Sequence, residues 1–155
     1  MLRRAFLILL AAFWAPLSVA QNVPNPAPKD LCPVCGMLVS KYPNWVAVVT
    51  WKDGHAHFFD GAKDMFKFLQ DLAKYAPGHD KEDIVGIYVT DFYNLERIDA
   101  RKAYFVTGSD VLGPMGHELI PLATEADADD FMKDHKGKVN LRFEALTPQM
   151  IQALD

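Results

Sequence analysis

Cysteine is scarce in this sequence, with two among 155 residues. Both fall in one short stretch, "DLCPVCGMLVS", as Cys32 and Cys35. A zinc ribbon draws four ligands, often from two such pairs. One pair builds it only by borrowing histidines, such as His55 and His57, which alternate along "HAH" and so share a strand face. Excess positive charge is missing too. The formal net charge is −4, which removes the basic footprint of a nucleic-acid-binding protein. The apolar run near the start is short of the roughly 20 residues of a membrane span, and Pro16 and Ser18 interrupt it. There is no Gly-x-Ser-x-Gly elbow and no phosphate loop, so neither chemistry is supported. No cysteine follows the apolar run directly: Gln21 comes after Ala20, and no lipid anchor is expected.

The opening residues, "MLRRAFLILLAAFWAPLSVA", do carry a pattern. Arg3 and Arg4 precede an apolar stretch, and Ser18-Val19-Ala20 close it with small residues. That is a secretory signal peptide over 1–20, cleaved after about Ala20, and it places the protein in the periplasm. "QNVPNPAPKD", 21–30, is polar and proline-rich and reads as an extended linker.

The body reads as α+β. "WVAVVTWK" (45–52) is β-branched and aromatic and predicts a strand. Asp53-Gly54 is a two-residue hairpin signal, and "HAHFF" returns as the second strand. Asp60 is placed to cap a helix from Gly61 to about Lys74, with Met65, Phe66, Leu69 and Leu72 on its apolar face. "IVGIYVTD" (84–91) is a third strand. The order then repeats: "RKAYFVTG" (101–108), a glycine-containing loop, "HELIPL" (117–122), a helix capped by Thr124 and running to about Lys136, and "KVNLRFEAL" as the last strand. Thr147-Pro148 opens a short helical tail. Two tandem ββαβ units are expected, 31–95 and 96–155. Each is too small to bury much apolar surface alone, so they are expected to pack as one body. Met65, Met132 and Met150 read as core residues on helical segments.

"CPVCGM" admits several chemistries. A thioredoxin-type pair sits at the start of a helix, whose dipole lowers the thiol pKa. Here a proline-rich linker precedes and Gly36 and a β-like stretch follow, which is the wrong setting. A disulfide that pins the start of the fold remains open in an oxidising compartment. A soft-metal site also remains open. Cys35-Gly36-Met37 and Met115-Gly116-His117 each set two metal-binding side chains around a glycine that lets the backbone bend. Thiolate and thioether favour Cu(I) over hard ions. The bland alternative makes Met37 a core residue and Met115 a loop residue packed on the body.

"CPVCGMLVSKYPNWVAVVTWKDG", "FFDGAKDMFKFL" and "GPMGHELIPLATEADADDFMKDHKG" resemble the NosL family, over about 31–143. The resemblance implies two ββαβ units and a non-enzymatic, exported Cu(I) carrier. It implies delivery of copper to nitrous oxide reductase during its maturation, as in denitrification, together with an ABC-type membrane complex. It also implies a copper site built from Cys35, Met37 and Met115, with His117 and Cys32 as further candidate ligands. Many family members carry an acylated cysteine just after the signal; this sequence has none there. The alternatives are a periplasmic thiol-disulfide protein and a structural envelope domain without metal.

Overall fold

The computed structural model describes residues 23–155. The signal peptide expected over 1–20 and the first two residues of the linker lie outside the described residues. The rest of the linker lies along the body: Val23 packs against the core, the backbone N–H of Val39 donates to the carbonyl of Asp30 (3.0 Å), and Ser40 Oγ donates to the carbonyl of Pro28 (3.1 Å).

The first unit is β1 (Ala47–Trp51), β2 (Ala56–Phe59), α1 (Ala62–Gln70), α2 (Leu72–Tyr75) and β3 (Ile84–Thr90). β1 is central and pairs antiparallel with both β2 and β3. β2 and β3 therefore run parallel to each other, with α1 in the crossover between them. Ala47, Val48, Val49 and Trp51 are all buried, as a strand covered on both faces demands. β4 (Arg97–Asp99) adds to the free edge of β3, giving the order β2-β1-β3-β4. This sheet thus runs past residue 95.

The second unit comprises β5 (Tyr104–Thr107), β6 (Leu112–Gly113), β7 (Gly116–His117), β8 (Ile120–Leu122), α3 (Glu125–Asp134) and β9 (Val139–Arg142). Its sheet order is β8-β5-β9, again with the first strand in the middle. "HELIPL" is not one strand. His117 pairs with Leu112 in the small β6–β7 hairpin, while Ile120–Leu122 joins the main sheet. α4 (Pro148–Gln152) ends the chain, capped by Thr147, whose Oγ1 accepts the N–H of Met150 (3.3 Å).

The two units share a core. Phe66 on α1 lies 5.3 Å from Phe105 on β5 and 4.9 Å from Phe143, ring centre to ring centre. Phe59, Met65, Phe68, Phe105, Leu119 and Ile151 are fully buried. Each contributes about 1.5–3 kcal/mol of transfer free energy. A smaller apolar cluster, Val106, Ile120, Leu122, Ala128 and Phe131, lies beneath α3. The fold is α+β with two ββαβ units in one body.

Some local expectations need correction. Asp60 does not cap α1: the N-cap is Gly61, with no side-chain hydrogen bond. The helix breaks at Asp71, whose carboxylate caps α2 by accepting the N–H of Lys74 (3.2 Å). The β1–β2 turn has three residues, because Trp51 N–H bonds to His55 O (3.0 Å) and Gly54 takes φ +88°. That geometry is a three-residue loop with a left-handed glycine. Met65 is buried, but Met150 is exposed, because α4 turns Ile151 inward instead.

Candidate metal centre

The stretch from Cys32 to Met37 is wound into one tight loop. The N–H of Cys32 donates to Met37 O (2.8 Å) and that of Gly36 to Cys32 O (2.9 Å). A bridge between Leu31 and Leu38 closes the loop at its base. Gly36 has φ +78°, a backbone state that other L-residues rarely adopt. Cys32 is buried, Cys35 is partly exposed, and both are free thiols.

The first turn of α1 packs against this loop. Asp60 lies just before the helix, between β2 and the N-cap Gly61, and Asp64 lies in the first turn itself; both carboxylates reach the loop. Cys32 Sγ lies 3.4 Å from Asp64 Oδ2, and Cys35 Sγ lies 3.3 Å from Asp60 Oδ1. One ligand atom from each of the four residues falls within 4.8 Å of all the others. Asp60 and Asp64 are only 1% and 3% exposed. Asp64 also has an ion pair with Lys67 (3.8 Å). Asp60 Oδ2 is buried and has no hydrogen-bond partner.

Burial pushes the Cys35 thiol up to about 11, and Asp64 and Asp60 add to the rise; the backbone N–H of Met37 pulls the other way. Cys32 is raised further, again by burial first. Both thiols therefore hold their protons at neutral pH, directed at carboxylates.

The methionine-bearing hairpin is tied to the same turn of α1. Met115 sits at the tip of the two-residue β6–β7 turn and is 44% exposed. Its carbonyl accepts from the Nζ of buried Lys63 (3.1 Å), which lies between Asp60 and Asp64 in sequence. Lys63 Nζ also donates to the carbonyl of Leu154 (3.1 Å). Glu118 Oε1 accepts the N–H groups of Lys63 (2.6 Å) and Leu119 (2.9 Å). A Cβ at Gly61 would overlap Glu118 Oε2, so a larger residue there would displace that carboxylate. Met37 is half-buried. His117 is exposed and lines a shallow hollow with Met150 and Leu154, outside the four-residue group.

A family model described as NosL matches residues 24–151. The chain belongs to the NosL family. It is 33% identical over 129 residues to the copper-binding lipoprotein NosL of Stutzerimonas stutzeri, covering 79% of this chain and 65% of that protein. It thus spans under two thirds of that relative's length. The crystal structure of the copper chaperone NosL from Shewanella denitrificans superimposes with a TM-score of 0.67 at 26% identity, covering 82% of this chain and 96% of that one.

Within this NosL chain, Cys32 and Cys35 meet two carboxylates that were not singled out from the sequence. Asp60 is in a helix-cap position by pattern, which disguises it. Two acids four apart in "DGAKD", at the start of an amphipathic helix, are the available signal. Lys63 and Glu118 were missed for the same reason: a charge in an apolar context reads as a surface residue until its partners are known. His55 and His57 lie at the far end of β2 from the thiols and lend them no ligand.

Proposed function

We propose that this chain is an exported Cu(I) carrier that delivers copper to nitrous oxide reductase or to its membrane maturation machinery. The observation that carries the reading is the packing of Cys32 and Cys35 on two buried carboxylates, one of which has an oxygen without a partner. The reading adds Met37, two residues from Cys35, and Met115, whose carbonyl is tied to Lys63 of α1, to the two thiols as a soft donor set suited to Cu(I). The carboxylates supply what the thiols lack. When Cys35 binds the ion as a thiolate, its proton leaves towards Asp60 Oδ1, already 3.3 Å from Sγ. The negative charge of Asp60 and Asp64 favours the incoming cation in a site where burial alone opposes it. Partial exposure of Cys35 and Met115 lets a ligand from a recipient bind before the donor ligands leave. The relative named a copper-binding lipoprotein supports both copper binding and export.

Thiol-disulfide exchange is favoured less. A reactive thiol needs a depressed pKa, whereas burial and two carboxylates raise both thiols here.

The test is a titration of the reduced protein with Cu(I) against a chromogenic competitor. Wild type is compared with Cys35→Ser, Met37→Leu, Met115→Leu and His117→Ala. The carrier reading expects the Cys35 variant to bind most weakly and the methionine variants to fall between it and wild type. Equal weak binding by all five overturns it.

A further inference from the structure

The β1–β2 turn and the loop after α2 bring together a second set of ligating side chains. Asp53 Oδ2 lies 2.9 Å from His55 Nδ1 and 3.3 Å from His79 Nε2. The ligand atoms of all three residues fall within 4.8 Å of one another. We propose that Asp53, His55 and His79 form a second metal site, for a divalent ion such as Zn(II), separate from the thiol centre.

The spacing suits an ion. A tetrahedral zinc with bonds near 2.0–2.1 Å sets its ligand atoms about 3.3 Å apart. The Asp53–His79 pair has that separation, and the Asp53–His55 pair reaches it by a small opening of an exposed turn. The donor set contains two imidazoles, one carboxylate and no sulfur, which suits a borderline divalent ion better than the softer Cu(I).

The ligands are already oriented. Asp53 Oδ1 accepts the backbone N–H of His55 (2.9 Å), which leaves Oδ2 facing both rings. The His79 ring centre lies 4.4 Å from that of Trp51. Its Nδ1 is buried without a partner, so its polar contact is made through Nε2 towards Asp53. His57 is engaged elsewhere, since Trp51 Nε1 donates to its Nδ1 (2.8 Å). That bond fixes the indole against which His79 packs.

β2 runs between the two sites. Asp60 follows its last residue and His55 precedes its first, a span of about 16 Å at roughly 3.3 Å per residue. Exposure of His55 and Asp53 leaves the remaining coordination positions to water or to a donor from another molecule. Binding displaces the protons now shared between the rings and Asp53.

The test is a Zn(II) titration of the chain labelled with nitrogen-15 at histidine and carbon-13 at cysteine, followed through the imidazole nitrogens and the cysteine Cβ signals. The ring signals of His55 and His79 should move together on one isotherm that saturates with a single ion. That isotherm should weaken at least tenfold in Asp53→Asn and in His55→Ala and be unchanged in His117→Ala. The 77% exposure of the His55 side chain makes its replacement harmless to folding. Rings that stay unmoved at millimolar zinc overturn the proposal, as do His55 and His79 signals that move on separate isotherms. Zinc that shifts only the cysteine Cβ signals also overturns it, while leaving the Cu(I) reading intact.

Discussion

Cys35 Sγ lies 3.3 Å from Asp60 Oδ1, and the other oxygen of that carboxylate is buried with no partner of its own. The thiol proton is therefore held on an acceptor that keeps spare capacity. A buried carboxylate with an unmet oxygen is costly, and it persists here where it meets a candidate ligand.

The first consequence is chemical. Iodoacetamide should modify Cys35 and spare the buried Cys32 in the native chain. The rate follows the thiolate fraction, so it should climb about tenfold per pH unit and level off near 11, where burial has set the Cys35 thiol. Asp60→Asn removes one of the groups that raise it, and the rate at mildly alkaline pH should increase. Mass spectrometry of the labelled peptides checks both. An unchanged rate in Asp60→Asn would remove that carboxylate from control of the thiol.

Copper affinity should depend on pH with the opposite sign to a protonation-driven site. Each thiol proton displaced by Cu(I) makes the apparent affinity rise about tenfold per pH unit, so long as pH is below the thiol pKa. With Cys35 near 11, the rise should continue through the whole neutral range. Competitor titrations at several pH values measure it. A flat profile would mean that no thiol proton leaves, and that Met37 and Met115 hold the ion without Cys35.

The tie between the hairpin and α1 can be cut at Lys63. Its Nζ bonds the carbonyls of Met115 and Leu154 at 3.1 Å each. Lys63→Met keeps the apolar stem of the side chain, ends one atom short of Nζ and leaves both carbonyls without that donor. A stability loss of about 2–3 kcal/mol is expected, read as a lower urea midpoint. Hydrogen exchange should speed up together over 112–118 and 148–155, and stay slow in β1. Faster exchange confined to one segment would show that Lys63 does not couple them.

Much of the architecture was legible because periodicity and turn chemistry are local. The run "WVAVVTWK" reads as a strand on β-branching alone, and Thr124 reads as a cap on its place before an apolar-faced helix; the structure has both. The breaks were not legible, because they come from distant partners. "HELIPL" splits since Glu118 must turn inward to the N–H of Lys63, 55 residues away. The site follows the same division. The two cysteines announce themselves by rarity, whereas Asp60 and Asp64 acquire meaning only when α1 is laid on the loop that holds Cys32. His79 is likewise an isolated loop residue until the chain returns it to Asp53.

Glu118 supplies a last prediction, about stability. Its carboxyl is fully buried, and burial raises it to about 8; the N–H groups of Leu119 and Lys63 and the charge of Lys63 pull the other way without overcoming that. The folded chain thus keeps a proton over a range where the unfolded chain, at its ordinary value of 4.5, has lost it. Stability from this group is full below about 4.5 and is lost as pH rises towards 8, at up to about 1.4 kcal/mol per pH unit. Glu118→Gln keeps an oxygen for both N–H donors and has no proton to lose. Urea midpoints across that window should fall with pH in wild type and fall less in the variant. Parallel curves would show that Glu118 is ionised throughout, held by the first turn of α1 and Lys63.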